Sequence, residues 1–302
     1  MTEMKRFFDK YHNEGFTWKD SLILILLSFV ACFVAATLVG VSVDMFFSLF
    51  VNESNRDFVF TLASYFDFIS YWIVFILVCL IFKSWRPMLR VIGPGIKGNT
   101  VRNLLLGLAI GFGLNSACVV AAILHKDIIL YFDSFPVIRI LLIFVAVFVQ
   151  SSAEELMCRG LLYQRLRKTY RNPWVAILVN PLVFAALHLG NDGMNALAFA
   201  NIYIVGVMFG VMVYYLDSLW MAMAAHAAWN FSQNIIYGLP NSGIVSQFSI
   251  FKLDAANARG SVFYHVAFGV ESTVMAFIVL SIGTAIIIWL GRKKHLQPTE
   301  IW

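Results

Sequence analysis

The chain has 302 residues, of which 60% are hydrophobic and only 13% are charged. Soluble domains are about half apolar and about a quarter charged, so this composition excludes an ordinary soluble enzyme. The formal net charge of +5 comes from short basic blocks beside apolar runs, which is typical of membrane topology signals and not of nucleic-acid binding. The four cysteines lie in or beside apolar runs without a CxxC pair, so neither a disulfide framework nor a thiolate metal site is expected.

Eight apolar runs approach the length of a membrane-spanning helix, which takes about 20 residues. The fifth and seventh runs carry the weakest signals. The sequence therefore predicts an all-α, polytopic transmembrane helix bundle of about eight spans, forming one integral membrane domain over residues 1–302. The outer segment 238–265 begins with a turn-rich stretch that suits a lid or a connector, with the connector favoured. The runs cover residues 21–43, 58–82, 104–124, 137–166, 174–190, 194–216, 219–237 and 266–290.

Lysine and arginine are divided unevenly between the two sides of this predicted bundle. The chain ends and the connections on their side carry sixteen of them, whereas the connections on the other side carry five. Short cytoplasmic loops carry the excess of such residues, so both termini are predicted to be cytoplasmic. The expected location is a bacterial plasma membrane, with the lipid bilayer as a partner and no nucleic acid.

The densest polar cluster of the spans is Glu154, Glu155 and Arg159 in the fourth run. Charged side chains at membrane depth are costly, so each is a functional candidate that needs a partner. Glu155 and Arg159 are four residues apart and can pair on one helix face, whereas Glu154 points about 100° away. The spacing predicts a supporting Glu155–Arg159 pair and a free Glu154. The alternative is a purely structural polar network between helices.

Two further polar sites lie downstream, with His188 in the fifth run and His226 and Asn230 in the seventh. His226 and Asn230 share a helix face by their four-residue spacing. Counted from the basic turn at residues 168–173, Glu154 and His188 both lie roughly 21–23 Å along their helices, so they can face each other. A carboxylate, two imidazoles and an amide at one depth provide a base for water and donors for an oxyanion, which amide hydrolysis requires.

The three motifs also carry a family resemblance. Glu154-Glu155-x-x-x-Arg159, Phe184-x-x-x-His188 and His226-x-x-x-Asn230 occur in this order and resemble the CAAX prenyl protease and bacteriocin-processing (CPBP, or Abi) family of intramembrane peptidases. The likeness covers a catalytic core at residues 140–235, with a weaker likeness at Gly269-Val270-Glu271-Ser272. It implies an endopeptidase, commonly classed as a metalloprotease, in which Glu154 activates a water positioned with His188. His226 and Asn230 would stabilise the oxyanion, and Glu155 and Arg159 would support the site.

The metal requirement is left open by these residues. Two imidazoles and a carboxylate can bind Zn²⁺, and the candidate ligands are Glu154, His188 and His226. An HExxH motif is missing from the sequence, and the amide of Asn230 is a poor zinc ligand. A metal-free glutamate mechanism without a cofactor is therefore preferred.

Two other classes of protein compete with the peptidase interpretation. In a transporter or channel, the carboxylates Asp67, Glu154, Glu155 and Glu271 would be proton or ion sites. A non-catalytic immunity or scaffold protein could use the same fold, because a fold does not secure an activity. For the peptidase, the expected substrate is a membrane-anchored or prenylated protein or peptide.

Overall fold

The computed structural model describes residues 10–14, 16–294 and 298–302, and within them the chain is a helical bundle. A short antiparallel pair, β1 (Leu130–Phe132) and β2 (Phe251–Leu253), is formed by two connections on one side. In chain order the helices are α1 (Leu22–Ser48), α2 (Arg56–Phe66), α3 (Ile69–Ile81), α4 (Val101–Leu124), α5 (Val137–Glu155), α6 (Tyr163–Thr169), α7 (Pro173–Leu187), α8 (Ala196–Tyr215), α9 (Leu219–Phe231) and α10 (Val274–Lys294).

The helical membrane bundle predicted from the sequence is confirmed. Six stretches of described helix are long and apolar enough to cross a membrane, so the protein is a multi-pass membrane protein. The predicted fifth and seventh spans are shorter helices, α7 and α9, so the count of eight spans and the cytoplasmic termini stay predictions. Lys5 and Arg6, which count towards that orientation, lie outside the described residues. The six stretches are Leu22–Ser48, Arg56–Ile81, Val101–Leu124, Val137–Thr169, Ala196–Tyr215 and Val274–Lys293.

The last helix begins later than the apolar run suggested. Its predicted start was residue 266, but α10 begins at Val274. Gly269 adopts a φ of 74°, a left-handed conformation that glycine tolerates without steric cost. Its backbone pairs with His265, and a 3₁₀ turn over Val270–Ser272 comes next. The apolar residues of 266–273 therefore form a tight turn against the bundle and do not extend the helix.

Two helices widen into π-helical turns beside the polar cluster. α5 continues as a π-helix over Leu156–Leu162 before α6, and α9 continues as a π-helix over Ser232–Ile236. A π turn shifts the backbone hydrogen bonds by one residue and is frequent at functional sites. The carbonyl of Cys158, inside the first of these turns, accepts a hydrogen bond of 2.6 Å from the Asn180 side chain of α7. A buried polar side chain therefore provides a hydrogen-bond donor for a carbonyl group of the irregular backbone.

Helix α4 approaches α9 closely through two glycines four residues apart. A Cβ atom on Gly107 or Gly111 would overlap the backbone carbonyl of Met221 or Ala225, respectively. Small residues at this spacing let the backbones of membrane helices come together. The contact fixes the depth and rotation of α9, whose next residue after Ala225 is His226.

Substitution of Gly111 by alanine tests this contact. Because the added methyl group overlaps backbone and cannot be avoided by a rotamer change, we expect Gly111→Ala to destabilise the protein by about 1–3 kcal/mol. Gly113→Ala on the same helix is the matched control, since its Cβ would meet nothing within 4 Å. Thermal unfolding in detergent should show a lower midpoint for Gly111→Ala only, and equal midpoints would contradict the close approach.

Candidate active site

The carboxylate of Glu155 and the guanidinium of Arg159 form a fully buried ion pair at the end of α5. Arg159 Nη1 lies 2.9 Å from Glu155 Oε1, and both side chains are 0% exposed. The pairing predicted from their spacing is therefore present, although the backbone after Glu155 is π-helical. An ion pair without water depends on good geometry and additional hydrogen bonds to offset the loss of solvation.

Arg159 makes those additional contacts with the two neighbouring helices. Its Nη2 donates a 2.9 Å hydrogen bond to the carbonyl of Gly206 on α8. The guanidinium carbon also lies 4.8 Å from the ring centre of Phe184 and 5.4 Å from that of Phe209, distances at which a cation is attracted by an aromatic face. The guanidinium of Arg159 thus contacts α7 and α8 as well as Glu155 of α5, and these contacts hold the three helices around the site.

Glu154, the preceding residue on α5, faces a cavity instead. Its side chain is 20% exposed, and its Oε2 lies 3.8 Å from Nε2 of His226. Its Oε1 accepts a short hydrogen bond from the side chain of Gln150, one turn earlier on α5. Glu154 is therefore directed into open space by the helix and is free of the Arg159 pair, as the spacing predicted.

His226 lies between the two glutamates. Its Nδ1 is 3.0 Å from Glu155 Oε1, and because the paired carboxylate is an acceptor, Nδ1 carries the hydrogen of that bond. The imidazole stacks on Phe209 at 5.4 Å with an interplanar angle of 24°. These contacts fix the ring so that Nε2 points towards Glu154.

His188 comes directly after the last residue of α7 and lies at the cavity wall. Its Nδ1 lies 2.9 Å from the carbonyl oxygen of Phe184. A carbonyl only accepts, so Nδ1 carries the hydrogen and Nε2 of a neutral ring keeps a lone pair. The residue is therefore arranged to accept a hydrogen bond from a molecule in the cavity.

Asn230, one turn after His226 on α9, presents its amide to the same space. Its Nδ2 donates to Ser151 Oγ at 3.2 Å and to Gln150 Oε1 at 3.5 Å. Its Oδ1 accepts a 3.3 Å hydrogen bond from Asn241. The amide nitrogen therefore lies on the side of α5 that carries Glu154.

One cavity of about 490 Å³ brings these groups together. Its wall includes the four residues to which the sequence assigned chemistry, and the supporting pair, Glu155 and Arg159, lies behind that wall. Aromatic side chains of α1 and of the α2–α3 region also line the cavity, as do several residues of the loop at 241–247. The polar lining includes Glu154, His188, His226 and Asn230, the aromatic lining includes Phe29, Phe33, Phe68 and Tyr71, and Asn241, Ser242 and Glu271 line the cavity as well.

Three polar residues of the site were not recognised from the sequence as part of it. Gln150 bonds both Glu154 and Asn230, and Asn241 bonds both Asn230 and Glu271. Gln150 could have been found from its four-residue spacing to Glu154 in an apolar run. Glu271 was noted only for a weaker likeness and as a candidate ion site. Asn241 and Glu271 lie far from the motifs in sequence, so their approach depends on the folded loop.

Glu271 lies outside the spanning helices and is almost completely buried. Burial raises the pKa of its carboxyl group because the charged form loses its hydration. Hydrogen bonds from Ser242 and from Trp229 lower the pKa in turn, but burial is the largest effect.

The side chains present do not form a ready metal site. Among the described residues no group of three or more His, Cys, Asp and Glu side chains is placed to hold a metal ion. The Nδ1 atoms of both histidines bond Phe184 and Glu155, so only their Nε2 atoms could bind a metal ion. Of the candidate zinc ligands, His226 Nε2 and Glu154 Oε2 lie 3.8 Å apart. No chemical step is therefore assigned to a metal.

Comparisons with known proteins agree with this geometry. Residues 136–232 match the family model described as type II CAAX prenyl endopeptidase Rce1-like. This range includes every motif residue from Glu154 to Asn230, and it confirms the resemblance to the CAAX prenyl protease and bacteriocin-processing family for that part of the chain. The class defined by fold and match is a multi-pass helical membrane protein with an Rce1-like region.

A relative in a bacterium extends the similarity beyond that region. The chain is 30% identical over 198 residues to the protein named "Uncharacterized protein YyaK" of Bacillus subtilis (strain 168). The alignment covers 60% of this chain and 63% of the relative, so less than two thirds of the relative's length is matched.

The two adjacent glutamates should respond differently to substitution. We expect Glu155→Ala to destabilise the protein by about 3–5 kcal/mol, because Arg159 would keep a buried charge without a partner. Glu154→Ala should leave the unfolding midpoint near wild type, since Glu154 borders the cavity and carries no ion pair with Arg159. Thermal unfolding of the two variants in the same detergent measures the difference. Equal destabilisation would favour the structural-network interpretation of the whole cluster.

Proposed function

We propose that this protein is an intramembrane endopeptidase that hydrolyses a peptide bond of a membrane-associated protein with water activated by Glu154. The observation that carries the proposal is the cavity: Glu154 of α5, His188 at the end of α7, and His226 and Asn230 of α9 all line it. Each has a neighbour that orients it, and of Glu154 and Glu155 only Glu154, which is not paired with Arg159, lines the cavity.

Water activation is assigned to Glu154 and His188. Nε2 of His188 accepts a hydrogen bond from the water through its lone pair, and that hydrogen stays on the water oxygen. The Glu154 carboxylate removes the other proton as the oxygen attacks the carbonyl carbon. Gln150, bonded to Oε1 of Glu154, fixes that carboxylate on the cavity side. The new C–O bond forms as the carbonyl π electrons move to oxygen, which becomes the oxyanion.

Stabilisation of the oxyanion is assigned to Asn230 and His226. The Nδ2–H of Asn230 is one donor, and the Nε2–H of a doubly protonated His226 is the second. Both donors are held in place before substrate arrives, by Gln150 and Ser151 on one side and by Glu155 on the other. Glu154 then gives its proton to the amide nitrogen, the C–N bond breaks, and a carboxylic acid and an amine are released.

The substrate class is suggested by the aromatic lining of the cavity. Phe29 and Phe33 of α1 and Phe68 at the α2–α3 junction supply aromatic surface, which suits an apolar chain beside the scissile bond. A prenylated or otherwise membrane-anchored protein or peptide, cleaved in a bacterial plasma membrane, is the substrate we propose.

Loss of cleavage on substitution of single cavity residues tests this function. We expect Glu154→Ala and His188→Ala each to abolish cleavage, and Asn230→Ala to lower kcat by about 10²–10³-fold, the typical effect of losing one oxyanion donor. Asp67→Asn is the control, because this carboxylate lies in a spanning segment but not in the cavity wall. Substrates can be identified as membrane proteins that accumulate uncut in cells carrying Glu154→Ala. Retained cleavage by that variant would refute the mechanism.

Metal dependence can be measured on the same cleavage assay. We expect full activity after treatment with a strong chelator and verification of metal removal by elemental analysis. Loss of activity that Zn²⁺ restores would instead assign Glu154, His188 and His226 to zinc and overturn the metal-free mechanism.

A further inference from the structure

The carboxylate of Glu271 accepts four hydrogen bonds from residues next to the catalytic cavity. Its Oε1 receives Nε1–H of Trp229 at 3.0 Å and Nδ2–H of Asn241 at 2.9 Å. Its Oε2 receives the backbone N–H of Ser242 at 2.6 Å and the hydroxyl of Ser242 at 3.1 Å. The proposed mechanism makes no use of this residue, although Glu271 borders the same cavity.

The chemistry of these donors determines the hydrogen-bonding role of each oxygen of the Glu271 carboxylate. An indole N–H and a backbone N–H can only donate, and one of them lies on each oxygen of Glu271. Both carboxylate oxygens therefore act as acceptors. The side chain of Asn241 consequently turns its NH₂ group, and not its carbonyl, towards Glu271.

The orientation of Asn241 determines that of Asn230. The NH₂ group of Asn241 also lies 3.3 Å from Oδ1 of Asn230, so Asn230 presents its oxygen to the loop. Its own NH₂ group is then left for the α5 side, where Gln150 and Ser151 accept from it. This is the orientation that an oxyanion donor requires, and the reverse orientation would place a carbonyl oxygen against the developing negative charge.

We infer that Glu271 is a positioning residue, which through Asn241 sets the Asn230 amide with its N–H groups towards the substrate and holds loop residues 241–242 at the cavity. This inference rests on the proposed peptidase function. The role of Glu271 in holding loop residues 241–242 is supported by backbone geometry, because Ser242 adopts a φ of 49° and Gly243 a φ of 88°. A non-glycine residue in the left-handed region is costly, and the two hydrogen bonds from Ser242 to Glu271 offset that cost.

The decisive variants keep the size of the side chain and change its hydrogen bonding. Glu271→Gln has an NH₂ group in place of one acceptor. In either orientation this group meets the donor of Trp229 or the backbone donor of Ser242, so the loop residues that include Asn241 are no longer held in one arrangement. Asn241→Leu removes the link between Glu271 and Asn230. For each we expect kcat to fall by about 10–100-fold with KM within about 2-fold of wild type, because substrate contacts remain while the oxyanion donor is misoriented.

Ser272→Ala is the matched control for both variants. Ser272 is the next residue of the same 3₁₀ turn and is also buried, but it bonds Asn195 at 2.7 Å and has no link to Asn230. Its loss should leave kcat unchanged. The double variant Glu271→Gln/Asn241→Leu should be no slower than the worse single variant, because both changes break one chain of hydrogen bonds. Additive losses, or an equal loss in Ser272→Ala, would overturn the positioning role.

A second measurement does not depend on peptidase activity. Hydrogen–deuterium exchange of peptides spanning residues 238–247 reports the Ser242 amide, and we expect exchange in Glu271→Ala to be at least about 10-fold faster than in wild type, because that amide loses its acceptor. Unchanged exchange would overturn the inference whatever the kinetics show. Cleavage by Glu154→Ala would instead refute the proposed peptidase function, and faster exchange in Glu271→Ala with unchanged kcat in an active enzyme would refute the positioning role alone.

Discussion

The buried ion pair between Glu155 and Arg159 is the interaction on which the site depends. Taking two charges out of water is expensive, and in this position contacts from three neighbouring helices help to offset the cost. Gly206 of α8 accepts from Arg159, Phe184 and Phe209 face its guanidinium, and His226 of α9 bonds Glu155. Four helices are thereby held in a single relative arrangement around one polar centre.

The adjacent carboxylates in this protein lie in separate environments because a helix turns them apart. Glu155 points into the bundle, where Arg159 and His226 contact its Oε1, and Glu154 points into the cavity, away from Arg159. His226 connects the two environments, since Nδ1 contacts the structural glutamate and Nε2 faces the cavity glutamate. The buried ion pair and the carboxylate at the cavity are therefore joined through one ring.

Irregular backbone is concentrated where the polar side chains meet. The π-helical turns come directly after Glu155 and Phe231, and the left-handed residues Ser242 and Gly243 lie in the loop beside the cavity. Irregular backbone at membrane depth is tolerated where it is buried in protein or lines a cavity. The segment 238–265 is thus more than the connector favoured from its sequence, because several of residues 241–247 line the cavity and Phe251–Leu253 pairs with β1.

Sequence alone was sufficient for the helical membrane class, for the Glu155–Arg159 pair and for the four cavity residues, because hydropathy and helical spacing are local properties. It was insufficient for the start of α10, where a left-handed glycine interrupts the beginning of an apolar run, and for the contacts of Asn241 and Glu271. Those contacts join residues 11 and 41 positions after Asn230, and no periodicity relates them. Only the tertiary structure decided them, since a folded loop places Asn241 between the carboxylate of Glu271 and the amide of Asn230 at the cavity.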